Sequence, residues 1–170
     1  MLFGDEASFR QDPTLYRTWA RRGSQPEILT TGQRNTQKVF GAVDIRRPSV
    51  HFIQGEATFN GQTYTAFLNS LAHRYRRQEV FLVHDNAPYH DAPEVQAWLR
   101  DYEYRFHLVQ LPKYSPDLNA VERIWHHVRV NATHDRYFPT KQEFVRTLGS
   151  TLKDIAENPQ QILGYLNPFL

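Results

Sequence analysis

Three acidic residues of this 170-residue chain stand where a carboxylate could take part in chemistry. Asp5 interrupts the apolar face of an alternating segment, Asp85 closely follows the apolar run Val80–Val83, and Glu122 lies in the first turns of a predicted helix. Taken singly, such acids more often cap turns or helices, or complement a helix dipole. If the first and fourth predicted strands are neighbours, however, Asp5 and Asp85 converge, because adjacent strands lie about 5 Å apart. Carboxylates that close repel unless a cation separates them. Together the three acids predict a site for a hard divalent cation such as Mg²⁺.

The residues around Glu122 allow alternatives for the third acid and its support. Asp117 is a second candidate, although its place in a predicted turn favours a cap. Asn119 lies three residues before Glu122 and His126 four after it, so the three share one helical face. We expect Asn119 and His126 to support the carboxylate of Glu122, while Asn119 could instead cap the helix.

Other neighbours of the acids carry weaker expectations. Asn86 and His90 either contact a ligand or brace the loop around Asp85, and the sequence leaves both interpretations open. Glu6 is excluded as a metal ligand beside Asp5, because successive residues of a strand face opposite sides. We expect the three tryptophans to lie in the core rather than to stack on bases; they are Trp19, Trp98 and Trp125.

The elements that must position these residues alternate between strands and helices. Period-2 alternation and short apolar runs predict strands at Leu2–Phe9, Lys38–Val43, Val50–Gln54, Val80–Val83 and Phe106–Leu111. Apolar stripes and caps predict helices over 61–77 after Asn60, from near Asp91 to Tyr102, over Leu118–Val130 and over Thr140–Glu157. The order predicts an α/β fold whose mixed sheet has three antiparallel strands plus two parallel ones, with helices on both faces.

Composition restricts the class of protein. Hydrophobic residues make up 40% and aromatic residues 14%, which is sufficient for the core of one domain. The absence of cysteine excludes disulfide scaffolds and thiolate metal sites. The longest apolar run has four residues, too few for a transmembrane helix or the core of a signal peptide. We therefore expect a single soluble, cytoplasmic domain with no membrane partner.

Charge is distributed unevenly along the chain. Of the 20 basic residues 16 are arginine, whose planar guanidinium can bind phosphate through two hydrogen bonds. Residues 10–47 contain seven arginines and one lysine but only three acids. Such a segment favours a surface that faces a polyanion, although solvated loop charge is the simpler alternative. We expect the phosphate contacts to come from Arg10, Arg21, Arg22, Arg34 and Lys38 of this segment and from Arg123 and Arg129 on the predicted helix that carries Glu122.

The strings that contain the three acids are FGDEASF, VHDNAPYH and LPKYSPDLNAVERIWHHVR. They resemble the catalytic core of DDE transposases of the mariner superfamily, specifically the bacterial insertion-sequence branch. The family's three acids match Asp5, Asp85 and Glu122, at spacings of 80 and 37 positions. The resemblance continues through Arg10–Arg22, TGQRNTQKVFGAVD and NATHDRYF, and so covers nearly the whole chain.

This resemblance implies a ribonuclease-H-like fold and two Mg²⁺ (or Mn²⁺) ions held by the acid triad. It implies cleavage of DNA strands at the ends of a mobile element and their transfer into target DNA, by two-metal phosphoryl transfer. A homodimer in the working complex is also implied.

Members of the family carry an amino-terminal helix-turn-helix region, whereas this sequence starts four residues before Asp5. We therefore expect residues 1–170 to form a single catalytic domain without that region, which a separate chain could supply.

Three other functions remain open from the residues alone. The domain could be a ribonuclease-H-like nuclease that does not transpose, or a decayed transposase that only binds DNA or a partner. It could also be a metal-dependent phosphohydrolase acting on small molecules, but the arginine-rich segment argues against this function because a small substrate needs no extended basic surface.

Overall fold

A five-stranded sheet in the order β3-β2-β1-β4-β5 forms the centre of the computed structural model, which describes residues 1–17, 19–24 and 26–166. The first three strands form an antiparallel meander, while β4 runs parallel to β1 and β5 parallel to β4. The expected three antiparallel and two parallel strands are thus confirmed. The strands are β1 (Leu2–Arg10), β2 (Thr36–Asp44), β3 (Ser49–Gly55), β4 (Val80–His84) and β5 (Phe106–Gln110).

Helices cover both faces of the sheet, as expected. They are α1 (Gly61–Arg74), α2 (Pro93–Tyr102), α3 (Ala120–Ala132), α4 (Lys141–Glu157) and the short α5 (Leu163–Leu166). The α1 and α2 helices enclose one core with Leu2, Phe40, Leu82 and Phe106 of the sheet. The α3, α4 and α5 helices enclose the other, which includes Phe3, Phe9, Val39 and Val83. Alternation along β1 therefore places Leu2 in one core and Phe3, Ala7 and Phe9 in the other.

Two predicted helix starts are corrected by the structure. The helix predicted from near Asp91 starts at Pro93 after Ala92, and Asp91 ends a separate 3₁₀ turn. Proline holds the preceding residue in an extended conformation, and Ala92 has ψ 148°, so α2 cannot begin before Pro93. Similarly, α3 starts at Ala120 rather than Leu118, because residues 116–118 form a separate 3₁₀ turn. The predicted cap at Asn60 is confirmed by a 2.9 Å bond from the Thr63 amide.

The expectation that all three tryptophans are buried is wrong for one of them. Trp98 and Trp125 are 6% and 1% exposed, whereas Trp19 is fully exposed in the connection between β1 and β2. The described residues of that connection form little regular structure. Its composition of Gly, Arg, Thr and Gln supplies too few apolar residues to bury an indole. Among the described residues, no helix is both long and apolar enough to cross a membrane.

Candidate active site

The three predicted acids come together at the edge of the sheet where β4 ends. Leu2 and Phe3 pair with Leu82 and Val83, so Asp5 and Asp85 each lie two positions beyond the last paired residue of parallel strands. The first turn of α3 adds Glu122. All three acids line one open cavity of about 620 Å³, together with Asn86, Lys113 and Asn119. The cavity is at the carboxyl end of the parallel strands, where α/β sheets commonly bind ligands.

Asp5 is held by an aromatic residue of α3. The indole Nε1 of Trp125 donates a 2.8 Å hydrogen bond to Oδ2 of Asp5. The ring lies directly over β2 at Gly41, which pairs with Asp5: a Cβ added there would stand 2.5 Å from the Cη2 atom of Trp125. The absence of a side chain at Gly41 therefore allows the indole to reach Asp5, a role that sequence reasoning did not assign to Trp125.

The acids destabilise one another when all are ionised. Burial raises the pKa of Asp5 to about 8, and the charges of Glu122 and Glu6 add to this effect. Burial also raises the pKa of Glu122, opposed by the positive charge of Arg129 and reinforced by Asp85. The side chain of Asp85 is 51% exposed and therefore accessible from the cavity. Carboxylates that repel one another when ionised fit a hard divalent cation, which would neutralise their charge in place of a proton.

Glu6 lies on the other face of the sheet, as the alternation predicted, but in surroundings that the sequence did not reveal. Burial raises its pKa to about 7, opposed by the Tyr89 hydroxyl and reinforced by the charge of Asp85. Burial and the charge of Glu6 raise the pKa values of Tyr64 and Tyr89. A buried polar cluster thus lies behind the acid cavity, on the opposite side of β1.

Two histidines brace the loop that carries Asp85. The Nδ1 atoms of His84 and His90 are 2.8 Å apart, and Nδ1 of His90 is 3.1 Å from the backbone oxygen of Asp85. Burial lowers the pKa of His84 to about 4 and also lowers the pKa of His90, so both rings are neutral near pH 7. Asn86 donates a 2.6 Å hydrogen bond to the Leu111 carbonyl. In the structure, Asn86 and His90 therefore brace the loop around Asp85, which is one of the two interpretations that the sequence left open.

The residues predicted to support Glu122 act in different ways. Asn119 caps α3 by accepting a 3.3 Å bond from the Val121 amide, and it donates to the Gly4 carbonyl at 3.2 Å. This buried residue therefore joins the start of α3 to the strand that carries Asp5. His126 lies beside the rings of Tyr16 and His134 and lines the same groove as Glu122. The competing acid, Asp117, is exposed and lines a second groove of about 410 Å³ that Glu122 shares.

The residues predicted to contact DNA are dispersed. Arg10 and Arg34 share a cavity of about 560 Å³ at the far end of β1. Arg123 lines the second groove beside Glu122, and Arg129 lies 5.4 Å from the ring centre of Phe9. Arg21 and Arg22 are exposed in the connection between β1 and β2. Lys38 donates to Ser8 Oγ at 2.7 Å, on the face of the sheet opposite Asp5, so the structure does not bring it to the acids.

Comparison with known proteins adds to this description. A family profile described as DDE superfamily endonuclease matches residues 1–145. The insertion element IS630 uncharacterized 39 kDa protein of Shigella sonnei is 24% identical over 160 residues, which are 94% of this chain and 46% of that protein. The chain therefore spans about half the length of this curated relative.

Two solved structures have similar folds. The crystal structure of the Mos1 strand transfer complex has a TM-score of 0.71 and 18% identity, covering 98% of this chain and 50% of that chain. The Mos1 mariner paired end complex with Mn has a TM-score of 0.63 and 17% identity, covering 97% of this chain and 55% of that one. These similarities confirm the expected ribonuclease-H-like fold.

Proposed function

The chain belongs to the DDE superfamily endonucleases, and on that basis we propose that it is the catalytic domain of an insertion-sequence transposase. It would cleave DNA strands at the ends of a mobile element and transfer them into target DNA. One observation carries the proposal: three acids from β1, from the end of β4 and from α3 line a single cavity. The relative that belongs to an insertion element, and the Mos1 complexes with a similar fold, support the choice of reaction.

Asp5, Asp85 and Glu122 would hold divalent metal, Mg²⁺ or Mn²⁺, and we propose two ions. The donor set fits, because it consists of carboxylate oxygens, the ligands that such ions prefer. Burial and then the charge of Glu122 raise the pKa of Asp5, so a bound cation would favour its ionised form. Bound there, such ions would supply positive charge to the attacking and leaving oxygens of a phosphodiester. Mn in a structure of similar fold supports this assignment.

The remaining residues of the cavity position the acids and the DNA. Trp125 orients Asp5 through its indole N–H, and Asn119 fixes the first turn of α3 against β1. Lys113 also lines the cavity, where its ammonium group can attract a phosphate. Such a site contributes to the rate mainly through positioning and charge neutralisation, since phosphoryl transfer needs little covalent chemistry from protein side chains.

The proposed partners are the DNA of the element ends and of the target. Two ends must be held together for transposition, so we propose a homodimer in the working complex. Recognition of the end sequences would require a helix-turn-helix region, which a separate chain could provide.

Incubation with pre-cleaved element ends, a target plasmid and Mg²⁺ tests the proposal. Joined product supports the transposase, degradation without joining indicates a nuclease, and DNA binding without either reaction indicates a decayed domain. Asp85→Asn should abolish the reaction. Asp117→Asn is the matched control, because this exposed acid lies outside the acid cavity, and it should retain the reaction.

A further inference from the structure

Three aromatic rings meet one helical turn beyond Glu122. The rings of Tyr16 and His134 are stacked, with centroids 4.7 Å apart and planes 16° apart. His126 lies 5.7 Å from Tyr16 at 55°. It follows Glu122 by four residues, or about 6 Å along the helix. His126 and Glu122 line the same second groove, so the aromatic group adjoins the groove that opens beside Glu122.

Tyr16 is held firmly although its segment lies outside the sheet. Its backbone N–H donates a 2.8 Å hydrogen bond to Oδ1 of Asp135, and the Asp135 amide donates to the Thr14 carbonyl at 3.2 Å. Thr14 also forms a parallel bridge with His134. Farther back, the side chain of Gln11 donates to the Phe138 carbonyl at 3.0 Å. The segment that carries Tyr16 is therefore anchored to residues 134–138 rather than left as a loose loop.

The same ring is nevertheless half exposed. Tyr16 is 49% exposed, whereas Phe9, the last core residue of β1, is 2% exposed. His134 covers one face of the Tyr16 ring, and His126 beside it is exposed. Arg123, one turn earlier on α3, lines the groove as well. A fixed aromatic surface with a neighbouring guanidinium suits a planar base that is attached to a phosphate.

We propose that the open face of Tyr16 stacks on an unpaired nucleobase of the DNA strand whose phosphate lies at Asp5, Asp85 and Glu122. His126 would lie against the edge of that base. The inference rests on the proposed function and deepens it, because it requires the duplex to open beside the reacting phosphate. Since every base has an aromatic face, the contact would hold the strand without selecting its sequence.

A double-mutant cycle, in which both the protein and the DNA are altered, tests this contact. The probe is a fluorescein-labelled hairpin duplex with a three-nucleotide single-stranded overhang, whose positions carry either adenine or an abasic tetrahydrofuran. Dissociation constants are measured by fluorescence anisotropy with Mg²⁺, for the wild type, Tyr16→Ala, Tyr16→Phe and Tyr104→Ala. Tyr104 is the matched control, because this 73% exposed tyrosine precedes β5 at the opposite end of the parallel strands.

The wild type should lose about tenfold in affinity when one overhang position becomes abasic, as expected for a stacked base. Tyr16→Phe and Tyr104→Ala should show the same loss. Tyr16→Ala should bind the adenine and abasic probes equally, with a melting temperature close to that of Tyr16→Phe.

Two results would overturn the contact. One is a wild type that is indifferent to the abasic group at every position. The other is a Tyr16→Ala variant that still discriminates the adenine and abasic probes, since the role of the Tyr16 side chain would then be structural. If the wild type still joins pre-cleaved ends, either result contradicts only the contact and leaves the proposed function intact. If the wild type fails to join the ends but still discriminates the two probes, only the proposed function is contradicted.

Discussion

Asp5 and Glu6 are consecutive residues of one strand, yet they belong to two different regions of the molecule. Asp5 opens into the cavity on the α3 side of the sheet, where it accepts a hydrogen bond from Trp125. Glu6 is directed to the α1 side, where Tyr89 lies beside it. Burial raises the pKa of both carboxyls, to about 8 and about 7. A shifted pKa therefore does not by itself identify the reacting face; access to the cavity does.

The difference follows from what covers each face. Glu122 and Asp85 adjoin Asp5 in an open cavity that a cation and a phosphate can enter. On the other face, Tyr64 is buried and belongs to the closed core under α1 and α2. Like charges around Asp5 can thus be neutralised by bound cations, whereas Glu6 can be neutralised only by its own proton or by neighbouring groups.

The largest expected effect separates these two carboxyls. Asp5→Asn should reduce Mg²⁺-dependent plasmid nicking to background, because it removes a metal ligand from the cavity. Glu6→Gln should retain nicking within about tenfold, since an amide resembles the protonated carboxyl that burial favours. Initial nicking rates on supercoiled plasmid measure both. Equal loss in the two variants, with both folded by circular dichroism, would place Glu6 in the metal site and contradict the comparison.

Two glycines, Gly41 and Gly4, allow the two faces to be compared by adding a side chain on each. A Cβ at Gly41 would meet the Trp125 ring at 2.5 Å and Phe52 at 3.1 Å, whereas one at Gly4 on the other face meets only the terminal Cδ1 of Leu82 closely, at 2.9 Å. Because an indole cannot yield as a leucine methyl can, Gly41→Ala should lower the free energy of unfolding by about 1–3 kcal/mol or more.

Gly4→Ala is the control for this pair and should cost less than Gly41→Ala in urea denaturation. Gly41→Ala should also slow nicking by displacing the indole that holds Asp5, while Gly4→Ala should not. A Gly41→Ala variant with wild-type nicking would show that the Trp125 contact does not position Asp5.

The division into two faces was predictable from the sequence, because it depends on local periodicity. Alternation in β1 assigned Asp5 and Glu6 to opposite sides, and the apolar run before Asp85 indicated a buried strand ending at a ligand-binding edge. The resemblance then selected Glu122 rather than Asp117. Each of these inferences needs only spacing along the chain or a motif.

What each face contains was not predictable, because it depends on contacts between distant segments. Tyr64 comes from α1 and Tyr89 from a 3₁₀ turn, and no spacing in the sequence indicates that they meet behind Glu6. The exposure of Trp19 was missed for the same reason: its burial would require apolar partners that the β1–β2 connection does not bring to it. Lys38 was expected to contact DNA because of its charge, but β2 places it on the face of the sheet opposite Asp5.

The pH dependence of stability should distinguish the two carboxyls more finely. A raised pKa means that the folded protein keeps a proton that the unfolded chain has lost, so stability falls as pH rises from the unfolded value toward the folded one. For Asp5 this interval is about 4 to about 8, and for Glu6 about 4.5 to about 7. Without metal, Asp5→Asn should therefore gain about 1–3 kcal/mol relative to the wild type as pH rises.

Urea denaturation in EDTA from pH 5 to 8.5 measures this gain as the difference between variant and wild type, so that titration of the histidines cancels. The gain of Glu6→Gln should level off about one pH unit below that of Asp5→Asn. Mg²⁺ should remove the gain of Asp5→Asn at pH 8 by stabilising the ionised wild-type site. A gain that does not depend on pH would contradict the raised pKa values.

The smallest expected effect concerns the cations on the two faces. Arg123 lines the groove beside Glu122, whereas Lys38 lies on the opposite face, bound to Ser8 and 4.9 Å from the ring centre of Phe59. Each phosphate contact releases counterions, so Arg123→Gln should reduce the slope of log affinity against log salt by about 0.9 on duplex DNA. Lys38→Gln should leave the slope unchanged. Because phosphate contacts carry no base information, two duplexes of unrelated sequence should give the same result in a salt series. Equal reductions in the two variants would mean that DNA reaches both faces of the sheet, and the acid cavity would then not define its path.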